Sequence, residues 1–194
     1  MRRASLLAVV GAVLVVAFAG VALAAVIPCP PNGGACSGTN EPDQITGSAQ
    51  PDQIFARAGN DEVRAGDGAD ELSGAQGNDD LFGEADTDTY FGARGDDTLT
   101  EAANFTSNDT MYGGQNVDEM SGGGGDDFLS GQVGNDTVAG GEGNDTHRGG
   151  AGDDEIDARD GNPDALVSGG AGNDTCFFDE VDPSPRGCEI QNPS

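Results

Sequence analysis

Along most of the chain apolar residues come singly, at fixed intervals, each two positions after an aspartate. The series runs Asp43-Gln-Ile45, Asp52-Gln-Ile54, Asp61-Glu-Val63, Asp70-Glu-Leu72, Asp79-Asp-Leu81, Asp88-Thr-Tyr90 and Asp97-Thr-Leu99, every step nine residues. A twelve-residue step across "TEAANFTSN" leads to Asp109-Thr-Met111. Nine-residue steps then resume through Asp118, Asp127, Asp136, Asp145 and Asp154, and steps of ten reach Asp164 and Asp174. One apolar residue in nine predicts a strand of about three residues with its middle side chain turned inward. The glycines between strands predict turns that use left-handed backbone and close approach. A fixed short period marks a stacked-repeat architecture. Two units make one coil of a parallel β-helix, its strands stacked into two facing sheets, so the fold class read here is an all-β parallel solenoid.

The start of the chain follows a different pattern. "MRRASLLAVVGAVLVVAFAGVALA" has basic Arg2 and Arg3, an apolar stretch from Leu6 to Val21 and a small-x-small end at Ala22-Leu23-Ala24. That is the layout of a secretory signal peptide over 1–24. The remainder divides into an N-terminal cap at 25–42, a repeat region at 43–180 with an insertion near 100–108, and a C-terminal cap or tail at 181–194. An exported chain meets an oxidising compartment, so Cys29, Cys36, Cys176 and Cys188 read as two disulfides stapling the ends. Local pairing is the simplest of the three connectivities. Neither spacing is C-x-x-C, which leaves zinc and thioredoxin-type chemistry without support.

Charge narrows the partners. Acidic residues number 35 against 8 basic ones, a net charge of −27. Phosphates need Lys and Arg, so nucleic acid is excluded, as are anionic membrane surfaces once the leader is removed. Cations remain. With two units per coil, carboxylates eighteen apart stack on one edge: Asp61 above Asp79, Asp70 above Asp88, Asp127 above Asp145, Asp136 above Asp154. Columns of like charge repel, and a core of one apolar residue per nine is thin, so the array needs a counter-charge. Calcium, which takes six to eight oxygen ligands at about 2.3–2.6 Å, suits carboxylates beside turns of exposed carbonyls. Several Ca²⁺ ions between coils are expected.

The segments "GGEGNDTHR", "GGAGDDEID", "GGGGDDFLS" and "GGAGNDTCF" resemble the RTX, or hemolysin-type, calcium-binding nonapeptide GGxGxDxUx, where U is a large apolar residue. The resemblance covers about residues 40–180 and implies a parallel β-roll with Ca²⁺ in the turns between coils. Its aspartate carries over onto Asp61, Asp70, Asp79, Asp97, Asp127, Asp136, Asp145, Asp154 and Asp174, each with glycine two positions before it. Asp88, Asp109, Asp118 and Asp164 follow Asp86, Ser107, Asn116 and Asn162 instead, and Asp43 and Asp52 read as degenerate first copies. Adding Asp88 and Asp118 completes the expected metal ligands. The extra three residues after Leu99 are expected to break the stacking, leaving calcium-filled stretches at roughly 57–99 and 113–157. The ten-residue steps are expected to mark a closing cap.

His147, the only histidine, sits at U, where other copies carry Ile, Val, Leu, Met or Tyr. It reads as a tolerated inward or partly exposed side chain, since no catalytic constellation accompanies it. N-x-[ST] sequences occur at Asn104, Asn108, Asn135, Asn144 and Asn173, but three are the "GNDT" of the repeat, so glycosylation is not inferred. Paired carboxylates such as Asp153/Asp154 recur with the period, which favours metal binding over a glycosidase pair. The expected protein is a secreted, non-enzymatic calcium-binding β-roll that folds on binding Ca²⁺. The alternative is a calcium-dependent adhesin with a cell-surface or polymer partner. An enzyme on a β-helix scaffold is disfavoured, because almost no sequence lies outside the array.

Overall fold

The computed structural model describes residues 24–102 and 105–193; the leader expected at 1–24 falls outside them except for Ala24. The described residues form eighteen strands and no helix: β1 (Ala25–Pro28), β2 (Gly34–Ser37), β3 (Asp43–Thr46), β4 (Asp52–Ala58), β5 (Glu62–Asp67), β6 (Glu71–Gln76), β7 (Asp80–Ala85), β8 (Thr89–Arg94), β9 (Thr98–Thr100), β10 (Thr110–Gln115), β11 (Glu119–Gly124), β12 (Phe128–Val133), β13 (Thr137–Glu142), β14 (Thr146–Ala151), β15 (Glu155–Ala158), β16 (Leu166–Ala171), β17 (Thr175–Phe178) and β18 (Ile190–Pro193). Odd-numbered strands, closed by β18, make a ten-stranded sheet and even-numbered strands an eight-stranded one. All the strand pairs within them are parallel, as in β5 with β7 and β6 with β8.

The reason is the pattern itself. A chain that turns every nine residues and alternates between two sheets returns to the same sheet after eighteen. Val63 therefore lies beside Leu81, which lies beside Leu99, and Ile54 beside Leu72 beside Tyr90. These inward side chains, with Met111, Met120, Leu129, Val138, Ile156, Val167 and Cys176, are fully or almost fully buried and form the whole length of the core. The capping segments join the same ladders, β1 against β3, β2 against β4 and β18 against β17. Cys29 is bonded to Cys36 and Cys176 to Cys188, the local pairing.

One expectation fails. The lengthened step after Leu99 does not break the stacking. Leu99 pairs in register with Met120, and Tyr90 with Met111, both across twenty-one residues. The Asp97 backbone N–H still reaches Asp118 Oδ1 at 3.0 Å and that of Asp88 reaches Asp109 Oδ1 at 2.7 Å. The physical reason is that a turn lies outside the ladder. Extra residues there add loop length, which costs little closure entropy, while the shortened strand Thr98–Thr100 stays in register with Asp80–Phe82 on one side and Glu119–Ser121 on the other.

Candidate metal centre

The aspartates that set the period stand immediately before the strands on the two edges where the chain crosses between sheets. One edge carries Asp43, Asp61, Asp79, Asp97, Asp118, Asp136, Asp154 and Asp174. The other carries Asp52, Asp70, Asp88, Asp109, Asp127, Asp145 and Asp164. On both edges the backbone N–H donates to Oδ1 of the aspartate one coil later, as in Asp61 to Asp79 at 2.8 Å, Asp79 to Asp97 at 2.9 Å and Asp127 to Asp145 at 2.8 Å, until the last, Asp174, donates to Glu189 Oε2 at 2.7 Å. The carboxylates thereby become rungs between coils. Every one of them is buried, none more than 7 % exposed.

The second oxygen behaves differently. Oδ2 of Asp61, Asp70, Asp79, Asp88, Asp97, Asp118, Asp127, Asp136, Asp145, Asp154 and Asp174 is closed off from solvent and accepts no hydrogen bond. All eleven sequence-derived ligands are therefore brought onto the edges in the same state. Asp164, which was not among them, shares the state. Copies with a local donor differ: Thr39 N–H and Oγ1 bond Asp43 Oδ2 at 2.6 and 3.0 Å, Ser48 N–H bonds Asp52 Oδ2 at 2.7 Å, and Ser107 Oγ bonds Asp109 Oδ2 at 3.1 Å.

Buried carboxylate oxygens without donors are costly. Burial, first, pushes Asp61, Asp70, Asp97, Asp145 and Asp154 up to about 6, Asp79 and Asp118 to about 7, and Asp88, Asp127 and Asp164 to about 8. The backbone N–H bond from the preceding coil opposes burial in each case, and neighbouring carboxylates reinforce it.

A cation fits this arrangement on two structural grounds. The free oxygens of Asp79, Asp88, Asp97, Asp118, Asp127, Asp136, Asp145, Asp154 and Asp174 each face a glycine five positions upstream whose missing side chain leaves room, whereas Ala56 and Ala65 stand at that place before Asp61 and Asp70. A Cβ at Gly122 would overlap Asp127 Oδ2 and stand 2.7 Å from the Gly140 carbonyl oxygen of the next coil; one at Gly149 would overlap Asp154 Oδ2 and stand 2.6 Å from that of Gly169. The cradle is lined by oxygens, the donor set a hard divalent cation takes. The turn geometry also persists where glycine is missing, since Asp86 and Asn116 hold φ of 72° and 83°.

Sequence reading missed a second ladder. The residue before each repeat aspartate is often Asn or Asp, and its Oδ1 accepts the N–H of its counterpart one coil later: Asn78 to Asn60 and Asp96 to Asn78 at 3.1 Å, Asn144 to Asp126 at 3.0 Å, Asp153 to Asn135 at 2.9 Å. These bonds run opposite to the aspartate rungs, so the gaps that carry them are tied in both directions. The signal was the "GND" triplet, which the sequence reading took as part of the repeat without giving its asparagine a role.

Two inward side chains are polar. Tyr90 Oη accepts the Gly83 N–H at 3.0 Å and donates to Oε2 of the buried Glu101 at 2.9 Å. His147 Nε2 accepts the Gly140 N–H at 3.0 Å while Nδ1 stands 3.5 Å from Asp164 Oδ2. Burial pushes the His147 ring down to about 4, against the pull of the Leu166 carbonyl and nearby acids. Burial and Tyr90's acidic neighbours, Glu101 first, push its hydroxyl well up. Glu101 stands where other copies carry glycine or alanine, and burial pushes it up to about 7.

A profile of the RTX calcium-binding nonapeptide repeat matches residues 37–72, 64–99, 106–129, 112–146, 130–163 and 166–180. No curated protein matches the chain.

Proposed function

Since this chain belongs to the RTX calcium-binding nonapeptide repeat family, we propose that it is a secreted, non-catalytic protein whose solenoid folds when calcium enters the gaps between coils. The observation that carries the proposal is the row of buried Oδ2 atoms without donors. The proposed ligands are Asp61, Asp79, Asp97, Asp118, Asp136, Asp154 and Asp174 on one edge and Asp70, Asp88, Asp127 and Asp145 on the other, with turn carbonyls completing the shell. Bound calcium supplies positive charge to oxygens that otherwise repel. Binding free energy then becomes folding free energy. Extracellular modules of this kind work at about 0.1–1 mM calcium, a range that keeps the chain expanded inside a cell and folded outside. The leader read at 1–24 supports export, and among the described residues no helix is long and apolar enough to cross a membrane.

The expected result is a coil-to-β change in the circular dichroism of residues 25–194 on adding millimolar calcium, reversed by chelator. A spectrum indifferent to both would sink the reading.

A second reading, a calcium-dependent attachment surface, is favoured by aromatics on the outer face of the eight-stranded sheet. Phe91 and Tyr112 stack at 5.4 Å, Phe128 follows at 5.6 Å, and Arg148 lies over its ring. Retention on cell-wall polymer in calcium, lost with chelator and lowered at least tenfold by Tyr112→Ala, is the outcome that reading requires; a variant that binds as well as the parent rules it out.

A further inference from the structure

We propose that the two carboxylate edges take up calcium unequally. The edge that carries Asp61 to Asp174 accepts an ion in each gap from Asp79 onward, where a glycine stands five positions before every aspartate. On the Asp70–Asp164 edge two gaps, Asp88/Asp109 and Asp145/Asp164, are closed by the chain itself, through the Tyr90 hydroxyl bonded to Glu101 and through the His147 imidazole. The inference rests on the calcium reading above and carries it to single gaps.

The inward residues beside the first edge are Val63, Leu81, Leu99, Met120, Val138, Ile156 and the disulfide-bonded Cys176. None brings a free polar head to its turn. Beside the second edge they are Leu72, Tyr90, Met111, Leu129, His147 and Val167, and the two polar members bridge successive turns. Tyr90 Oη takes the Gly83 N–H of one turn and gives its proton to Glu101 of the next. On the far side of that gap Asp109 Oδ2 is already held by Ser107 Oγ. His147 repeats the device three repeats before the end of the array: Nε2 takes the Gly140 N–H, and Nδ1 faces Asp164 Oδ2 one coil later.

Both heads occupy the cradle. A Cβ at Gly83 would overlap Tyr90 Oη as well as Asp88 Oδ2, and one at Gly140 would stand 2.5 Å from His147 Nε2 beside Asp145 Oδ2. At Gly92, Gly122, Gly131, Gly149 and Gly169 the same space is bordered by the aspartate and a carbonyl oxygen of the next coil. Calcium needs six or more oxygens, and a ring nitrogen whose lone pair holds an amide proton supplies none. The turns agree. Glycine two before the aspartate is replaced by Asp86, Ser107 and Asn162 on the second edge, against Asn116 alone on the first from Asp61 onward. The asparagine ladder runs from Asn60 to Asp96 and from Asn135 to Asn173 on the first edge, but only between Asn108 and Asn144 on the second.

Equilibrium dialysis of the folded protein in calcium tests the proposal. His147→Leu and Tyr90→Leu each install the side chain that neighbouring coils already carry at Leu129 and Leu72. Each is expected to bind about one more calcium per molecule than the parent. An unchanged count in both folded variants overturns the inference while leaving calcium-driven folding intact; a parent that binds no calcium overturns both. Where a variant does not fold, ¹⁵N spectra of the parent decide, because its single histidine assigns itself. With saturating calcium, His147 is expected to keep its proton on Nδ1 and its acceptor bond at Nε2. Loss of that state on adding calcium overturns the proposal.

Discussion

Acidifying the calcium-free protein from about pH 8 to about pH 4 is expected to fold it rather than unfold it. The edge aspartates have values of about 6 to 8 in the fold, as at Asp61, Asp79 and Asp88, against an ordinary 3.8. A raised folded value means that the folded state binds protons more tightly than the unfolded chain, so stability falls as pH rises between the two values. The contribution is complete below about 3.8, the ordinary value, and is lost as pH climbs through 6 to 8. A proton and a calcium ion are alternative answers to the same buried oxygens, so calcium affinity should weaken across that window. His147 works the other way between its ordinary 6.5 and about 4, where the unfolded chain takes up a proton that the buried ring refuses, but it is a single group set against the whole row of raised aspartates. Circular dichroism in excess chelator, stepped from pH 8 to pH 4, reads the effect; an unfolded spectrum throughout would refute it.

Gly95→Ala is the substitution expected to do most damage. Gly95 has φ of 135°, and a Cβ there would lie 1.7 Å from the carbonyl oxygen of Gly77 one coil earlier. Gly77 meets Gly59 in the same way, so the column is packed backbone on backbone and cannot yield at one level alone. A cost above about 4 kcal/mol, the range of the most disruptive point changes, is expected. Solenoid stability is largely a sum over neighbouring coils, so the array should divide there. Gly161→Ala is the control: φ is 87° but a Cβ meets nothing within 4 Å, which leaves backbone strain of roughly 1 kcal/mol. Thermal melts of the two calcium-loaded variants should differ accordingly, and equal melting points would show that the close approach is unimportant.

Most of the fold was legible because one rule generates it. Asp-x-apolar every nine residues dictates the inward side chain, the two sheets and the eighteen-residue stacking seen at Val63, Leu81 and Leu99. The carboxylate rungs follow from the same count. Features outside the period were harder to see. The longer step after Leu99 read as a break, because chain length does not say whether extra residues enter the ladder or loop away from it. The bond from Tyr90 to Glu101 joins two departures, a hydroxyl at an aliphatic position and an acid in place of a small residue. Each looks like tolerated noise until the coil brings them together. The pattern left His147 either inward or partly exposed; it is fully buried, and its bond to the Gly140 turn depends on ring geometry that the pattern does not encode.

Identical coils raise a problem of termination. A stack whose every layer offers the same row of amides and carbonyls has no intrinsic reason to stop, and bare terminal layers invite a second molecule to dock on them as the next layer. This chain answers with proline. None of its nine prolines falls between Pro51 and Pro163, whereas Pro28, Pro30 and Pro31 crowd the opening layer and Pro183 and Pro185 the final one. A residue without an amide proton is a poor template, and the Cys29–Cys36 and Cys176–Cys188 crosslinks hold these blunt faces in place. A further layer of the same kind would find few amide protons to pair with at either end of the described ladder.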